Sequence, residues 1–116
     1  MKINAQPSGK YIIVRPVENR IDAANSPELK AYLMGVVESG QNVIGLDLAQ
    51  VRFIDSSGLG VLVSVMKKIG QNGVMPLWGL SREVKGLFEL TRLYEVFEIF
   101  EAESDAVERL KRHADG

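Results

Sequence analysis

The sequence has 116 residues, 46% of them hydrophobic, and its 14 basic and 15 acidic side chains give a net charge of −1. This balance provides no field that would attract nucleic acid or anionic lipid, and the apolar content is too high for a disordered chain. Because the chain has no cysteine and one histidine, a disulfide framework and a thiolate metal site are both excluded. No segment reaches the roughly 20 apolar residues of a membrane span, and the first residues lack the apolar core of a signal peptide. We therefore expect one cytoplasmic domain over residues 1–116, with no metal.

The first half of the chain alternates β-type apolar runs with one helix. The run YIIVRPV (Tyr11–Val17) is rich in β-branched residues, and the shorter KIN before it is expected to pair with it as a hairpin. SPELKAYLMGVVES then has apolar residues at the helical period. Ser26 is its predicted N-cap, Pro27 suits the first turn, and Gly40 ends the helix. NVIGLDL (42–48) is almost entirely apolar, which is typical of a strand covered on more than one side.

A second helix is predicted from about Ser57 to Gly70. Its apolar side chains cover an arc of roughly 200°, which is wider than one sheet contact needs. Either a neighbouring helix covers the flank or Val61 and Val65 lie partly open. We favour the neighbouring helix.

The last third of the chain continues the alternation. GVMPLWGL (73–80) is a strand candidate in which Pro76 indicates a bulge or an edge, because proline cannot donate to a ladder. Ser81 is placed to cap the helix REVKGLFEL. EVFEIF (95–100) is predicted as the last short strand, and SDAVERLKRHA as a last helix capped by Ser104.

The resulting order, ββαβαβαβα, predicts an α/β fold. We expect a small sandwich with a mixed, mostly parallel sheet of four or five strands and about four helices. In such sheets the strand-to-helix corners collect at the carboxyl ends of the strands, where ligand and partner sites are most common. The corner DSSGLG (55–60) lies at that edge, so it is the first candidate for a functional site.

Catalytic chemistry is poorly supported by the residues. A Ser–His–Asp arrangement would need His113, which lies in the predicted terminal helix rather than at a corner. No glycine lies two residues before Ser56 or Ser57, so the corner is not a nucleophile elbow. The run GLG lacks the lysine of a P-loop and the third glycine of a dinucleotide fingerprint. We therefore predict no catalytic residue, no cofactor and no enzymatic activity.

The two adjacent serines of the corner have two possible roles. A serine at a helix N-terminus can cap the helix, and this is the commoner use of the residue. It can also carry a phosphate, because the free N–H groups and the positive end of the helix dipole favour an anion. Gly58 and Gly60 are small neighbours that would let a large partner approach the backbone closely. From the residues alone both roles stay open, with capping favoured.

Three segments of the chain match, in order and spacing, the pattern of one known family. They are RIDAANSPELKAYL (20–33), LDLAQVRFIDSSGLGVLV (46–63) and LSREVKGLFELTRLYEVFEIF (80–100). The sequence resembles the STAS domain family, specifically its single-domain anti-anti-sigma factors (anti-sigma factor antagonists). The middle segment is similar to the most diagnostic part of that family: a strand, an apolar bridge, Asp-Ser-Ser/Thr-Gly-Leu-Gly and a helix. The resemblance covers almost the whole chain.

The resemblance implies a phosphoswitch at Ser56. In the family, the serine directly after the aspartate is phosphorylated by a partner kinase that is also the anti-sigma factor, and ATP is used by that kinase. The unphosphorylated protein binds the anti-sigma factor and frees the sigma factor. The phosphorylated protein releases its partner until a PP2C-type serine phosphatase removes the phosphate. Ser57 is the weaker alternative phosphosite and an alternative helix cap.

The resemblance also implies a docking surface beside this serine. The surface comprises Asp22, Asn25, Asp55, Ser56, Ser57, Gly58, Leu59 and Gly60. Asp55 is further expected to fix the corner by hydrogen bonding to backbone N–H groups, whereas Asp22 is equally well explained as a turn residue ahead of a helix. We expect the free protein to be a monomer with no direct nucleic acid partner and no membrane insertion.

Two other functions are weighed against the phosphoswitch. A STAS subunit of a lipid-transport or signalling assembly would act without switching and would not require a phosphorylatable serine at position 56. An enzyme would need a base to activate that serine, and none is evident in the sequence. Partner switching is therefore the leading hypothesis, with the assembly subunit as its alternative.

Overall fold

The five-stranded sheet begins with a hairpin, and every later strand joins the sheet in parallel. The structure is a computed structural model that describes residues 1–115. Its strands are β1 (Ile3–Ser8), β2 (Tyr11–Pro16), β3 (Arg20–Ile21), β4 (Ile44–Asp47), β5 (Phe53–Ile54), β6 (Leu77–Trp78) and β7 (Ile99–Phe100). Its helices are α1 (Ser26–Glu38), α2 (Ser56–Ile69), α3 (Arg82–Leu90) and α4 (Glu103–Asp115), with 3-10 turns at Gly70–Asn72 and Leu93–Glu95.

The strand order is β1-β2-β4-β6-β7, and only the β1–β2 pair is antiparallel. This arrangement confirms the predicted α/β fold with a mostly parallel sheet of five strands and four helices. The two remaining strands, β3 and β5, pair in parallel as a separate two-stranded sheet, with Ile21 opposite Ile54. The sequence did not predict this small sheet, because two-residue strands carry no periodicity.

The two faces of the main sheet support two separate clusters of buried side chains. Successive residues of a strand point to opposite faces. Val14 therefore lies in the larger cluster with α1, α2 and α3, and its neighbour Ile13 lies in the smaller cluster with α4. Three helices thus cover one face, whereas α4 covers the other.

The wide apolar arc of α2 is covered by a neighbouring helix, as the sequence predicted. α1 packs against α2. Val61 is 6% exposed and Val65 is fully buried. The alternative, in which this flank lies open, is wrong.

Two of the three predicted serine caps are wrong. Ser26 is the first residue of α1 and is buried, and Asn25 occupies the N-cap position without a side-chain cap hydrogen bond. The turn before α1 explains this, because the Ser26 N–H donates to the Asp22 carbonyl at 2.8 Å and needs no cap. Ser104 lies inside α4, which begins one residue earlier at Glu103. The third cap is confirmed, since Ser81 Oγ accepts the Val84 N–H at 3.1 Å.

Two predicted strands are shorter than expected. β6 is an interior strand, and Pro76 interrupts it: the ladder has an isolated bridge at Val74 and resumes at Leu77. The prediction of an irregularity at Pro76 is confirmed, but an edge position is wrong. β7 contains only the last two residues of the predicted 95–100 strand. Arg92 has a φ of 61° and precedes the 3-10 turn Leu93–Glu95, which overlaps the first residue of that segment.

Candidate functional site

The serine corner is organised by Asp55, which is the N-cap of α2. Its backbone is extended (φ −95°, ψ −175°), and its Oδ1 accepts the Gly58 N–H at 3.1 Å. Its carbonyl accepts the first intrahelical bond, from the Leu59 N–H at 3.0 Å. This confirms that Asp55 fixes the corner by bonding to backbone N–H groups.

Ser56 and Ser57 are the first two residues of α2, so neither of them is the helix cap. The capping role favoured from composition is therefore wrong for both serines, because Asp55 already fills it. Ser56 is exposed and Ser57 is half-buried. Within residues 1–115, neither hydroxyl makes a hydrogen bond, and their backbone N–H groups have no acceptor. Ser56 thus presents a free hydroxyl beside two unpaired N–H groups.

The loop before α1 is closed by reciprocal side-chain bonds. Asp22 Oδ1 accepts the Ala24 N–H at 2.9 Å and, more weakly, the Asn25 N–H at 3.4 Å. Asn25 Oδ1 accepts the Asp22 N–H at 2.9 Å, and its Nδ2 donates to the Arg20 carbonyl at 2.7 Å. Asp22 and Asn25 are both half-buried. The structure therefore gives Asp22 the turn role, and its second carboxylate oxygen makes no hydrogen bond within the described chain.

The loop and the serine corner are joined through the β3–β5 sheet. The Asp55 N–H donates to the Ile21 carbonyl at 3.1 Å, directly after the paired residues Ile21 and Ile54. Gly58 packs on this pair: a Cβ at position 58 would lie 2.6 Å from Ile54 Cγ2 and 2.9 Å from Ile21 Cγ2. Only glycine fits without displacing these side chains. The small sheet therefore brings the two predicted partner-binding segments together.

The eight residues predicted to form the docking surface divide by burial. Gly58 is buried against the small sheet, and Leu59 is 7% exposed and belongs to the larger core cluster. These two residues are not accessible to a partner in this structure, and they act by packing. Gly60 is exposed, with open space where a Cβ would lie. The accessible members are Asp22, Asn25, Asp55, Ser56, Ser57 and Gly60.

A shallow pocket of about 350 Å³ lies beside this corner, and the sequence reasoning missed three of its residues, Arg20, Phe53 and Ile54. Its lining is Arg20, Asp22, Phe53, Ile54 and Asp55. The Arg20 guanidinium lies 5.4 Å from the centroid of the Phe53 ring, and Phe53 is 40% exposed. The available signal in the sequence was an aromatic residue directly beside a polar corner, two positions before the helix cap. Aromatic residues are usually buried, so an aromatic at such a place is a candidate contact residue.

Other kinds of site are not evident in the described part of the chain. Residues 1–115 contain no cluster of three or more His, Asp and Glu side chains arranged to hold a metal ion. No helix in the same range combines the length and the apolar character needed to cross a membrane.

The α/β sandwich that carries this serine corner has the fold of STAS domains. The chain belongs to the STAS domain family, whose family model matches residues 2–106. Within that family it is related to anti-sigma factor antagonists. It is 36% identical over 90 residues to the anti-sigma-B factor antagonist of Listeria monocytogenes, a match that covers 77% of this chain and 79% of that protein.

Two further comparisons agree in fold and length. The anti-sigma-B factor antagonist of Staphylococcus aureus is 29% identical over 102 residues, covering 87% of this chain and 94% of that protein. The crystal structure of a candidate anti-sigma factor antagonist from Thermotoga maritima superposes with a TM-score of 0.87 at 27% identity, and the match covers 94% of both chains. The resemblance found in the sequence is thereby confirmed.

Proposed function

We propose that this chain is an anti-sigma factor antagonist that works by partner switching. With Ser56 unphosphorylated it binds an anti-sigma factor that is also a serine kinase, and it thereby frees a sigma factor for transcription. With Ser56 phosphorylated it releases that partner until a PP2C-type phosphatase restores it. The observation that carries the proposal is the free, exposed hydroxyl of Ser56 at the first position of α2, with the capping role taken by Asp55.

The chain is a regulatory binding protein in this proposal and not an enzyme. It works in the cytoplasm as a monomer when free, without a cofactor of its own and without nucleic acid as a direct partner. ATP is consumed by the partner kinase. The relatives support the coarse role, because they are named as antagonists of an anti-sigma factor rather than as catalysts.

A phosphate at Ser56 would disturb binding more than folding. It adds about −1.5 to −2 charges at neutral pH. The unpaired N–H groups of Ser56 and Ser57, at the positive end of the α2 dipole, favour an anion there, so the fold tolerates the group. In a closed protein–protein contact the same dianion must lose water, at a cost of several kcal/mol unless a cation pairs with it. Release of the partner is therefore the expected consequence.

The docking surface of this proposal is the accessible part of the corner and loop, extended by the pocket that Arg20 and Phe53 line. Ser57 stays the weaker phosphosite because it is half-buried, whereas Ser56 is exposed. The neighbouring Asp22 and Asp55 carboxylates each have one oxygen without a hydrogen bond within residues 1–115, so the surface offers acceptors as well as an aromatic contact.

Affinity capture with Ser56→Ala and Ser56→Asp baits tests the proposal. The Ala bait should retain a kinase-like anti-sigma factor that the Asp bait loses. Ser57→Ala is the matched control for the phosphosite, because it removes the neighbouring hydroxyl and should leave phosphorylation of Ser56 intact. The purified partner with ATP should then add one phosphate to the wild type and none to Ser56→Ala.

Equal retention of the same partners by both baits would contradict switching. It would favour the second function, a constitutive STAS subunit of a lipid-transport or signalling assembly. In that case Ser56 would be only the first residue of a helix that Asp55 caps.

A further inference from the structure

The helix α4 is alone on its face of the main sheet. Its principal neighbours are the strands β2, β4, β6 and β7, whereas α1, α2 and α3 share the larger core on the opposite face. Of its 13 residues, only Ala106 and Leu110 are fully buried. The cluster that it completes is small and consists of Ile13, Val43, Val74, Trp78, Ala106 and Leu110. The larger core therefore does not depend on α4.

The main apolar anchor of α4 sits directly on the backbone of β4. A Cβ at Gly45 would lie 2.8 Å from Leu110 Cδ1 and 2.8 Å from the Trp78 ring. Leu110 and Trp78 thus share the space that the missing side chain of Gly45 leaves. The absence of a side chain at position 45 is therefore required for Leu110 to dock as it does.

The beginning of α4 is held by an ion-pair network in which Arg15 binds one buried and one half-exposed carboxylate. Arg15 forms a close ion pair with Asp47 and donates from Nη2 to Gln6 Oε1 at 3.0 Å. It also binds Glu103 with an Nη1–Oε1 distance of 3.1 Å. The Asp47 side chain is 10% exposed, whereas that of Glu103 is 48% exposed. If α4 moves away, Arg15 keeps its buried partner Asp47 and only the half-exposed Glu103 returns to water. Opening therefore leaves no buried charge unpaired, which is the usual penalty for breaking such a network.

One polar group under α4 is unsatisfied while the helix is docked. The indole Nε1 of Trp78 is buried and has no hydrogen-bond partner within residues 1–115. A buried N–H without a partner costs free energy. Water would reach it when α4 leaves, so this part of the interface favours opening.

We infer that α4 is a separately opening cover. It leaves the sheet about the bend at Glu101 and Ala102, while the larger core and the serine corner stay folded. Opening releases the Arg15–Glu103 and Arg109–Glu98 ion pairs and the contact of His113 with the Asn72 carbonyl. Opening uncovers an apolar strip made of Ile13, Val43, Val74 and Trp78. Such local opening below the free energy of global unfolding is characteristic of elements with few buried contacts.

Trp78 is the only tryptophan of the chain, so the protein carries its own reporter of this opening. The intact protein should be followed by acrylamide quenching of Trp78 and by native-state hydrogen exchange in low urea. In the wild type, Trp78 should become quenchable and α4 amides should exchange at urea concentrations where α2 amides are still protected. Glu103→Gln should raise the opening equilibrium about two- to fivefold, as expected for loss of a partly exposed ion pair.

Gly45→Ala should raise the opening equilibrium about tenfold or more, because the added methyl displaces Leu110. Glu95→Gln is the matched control: it removes an exposed glutamate ion pair with Arg92 that lies outside α4 and its hinge, and it should leave the opening equilibrium unchanged. If Gly45→Ala does not fold, hydrogen exchange of the wild type and of Glu103→Gln tests the inference. Exchange of α4 and α2 amides at one common free energy, in both proteins, would overturn the inference and make α4 an integral part of the core.

Discussion

Asp55 and Gly58 are joined by a side-chain-to-backbone hydrogen bond of 3.1 Å, and this bond leaves the two serines between them without a structural task. A cap is needed at the start of α2, and the aspartate provides it one residue before Ser56. Phosphorylation of Ser56 would consequently remove no bond that the fold uses. The proposed phosphoswitch at Ser56 is therefore compatible with a stable corner, because the cap is a different residue.

Replacing Asp55 should show that the cap works through its oxygen atoms. Asp55→Ala should lower the free energy of unfolding by about 1 kcal/mol, since it removes the acceptor of the Gly58 N–H. Asp55→Asn retains an acceptor and should cost clearly less. Urea denaturation followed by circular dichroism measures both. Equal losses in the two variants would indicate that charge, rather than the cap bond, stabilises the corner.

The two glycines of the corner should respond in opposite ways to alanine. Gly58→Ala should destabilise the protein by about 1–3 kcal/mol, because its Cβ would overlap Ile54 and Ile21. Gly60→Ala meets open space in the same helix and should stabilise by up to about 1 kcal/mol through helix propensity. Denaturation midpoints of the two variants compare the effect of an added Cβ at a packed and at an open position of the same helix. A neutral Gly58→Ala would show that α2 does not pack on the β3–β5 sheet as described.

The pocket beside the serine corner should contribute to partner binding more than to stability. Phe53→Ser removes an aromatic that is already 40% exposed, so the cost in unfolding free energy should be about 1 kcal/mol or less. Loss of an aromatic contact at an interface should weaken binding of the anti-sigma factor about tenfold or more. Titration calorimetry with the purified partner measures the affinity.

Leu90→Ser is the control for this prediction. Leu90 is 82% exposed and lies at the end of α3, outside the proposed docking surface. Leu90→Ser should therefore leave the affinity for the anti-sigma factor unchanged. A loss of binding in Leu90→Ser with full binding in Phe53→Ser would move the docking surface to the end of α3.

Stability should fall in acid partly through Glu103. The Arg15 guanidinium holds the pKa of Glu103 below its ordinary value of 4.5. A carboxyl group with a lowered pKa in the folded state contributes stability that is fully present above the unfolded pKa and is lost as the pH falls through the folded pKa. Denaturation midpoints between about pH 6 and pH 3 should therefore converge for the wild type and Glu103→Gln. A difference that stays constant over this range would exclude the ion pair as its source.

The order of the main-sheet strands and of the four helices could be predicted because these elements carry local signals. β-branched runs marked the strands around residues 11–17 and 42–48, and the helical period marked α1 and α2. Ser81 and Asp55 each stand one residue before a helix and bond to a backbone N–H within three residues, so their roles follow from short-range spacing. The serine pair was located in the same way, as part of a strand-to-helix corner.

The cap predictions failed because residues only a few positions away already fill the role. Ser26 and Ser104 look like caps in isolation, but the loop at Asp22 satisfies the first turn of α1, and Glu103 already belongs to α4. The preference for capping by Ser56 or Ser57 failed for a local reason, since aspartate and serine are both good caps and only one position fits.

The sequence by itself determined the family, the alternation of strands and helices and the position of the serine corner, because these depend on periodicity and on neighbours a few residues apart. Only the tertiary structure decided which of the corner residues are accessible. Gly58 is buried by Ile21, which lies 37 positions earlier in the chain, and Arg15 meets Asp47 and Glu103 across separations of 32 and 88 residues. Contacts of this range arise from the register of strands and the packing of helices on them, which no local pattern of residue types encodes.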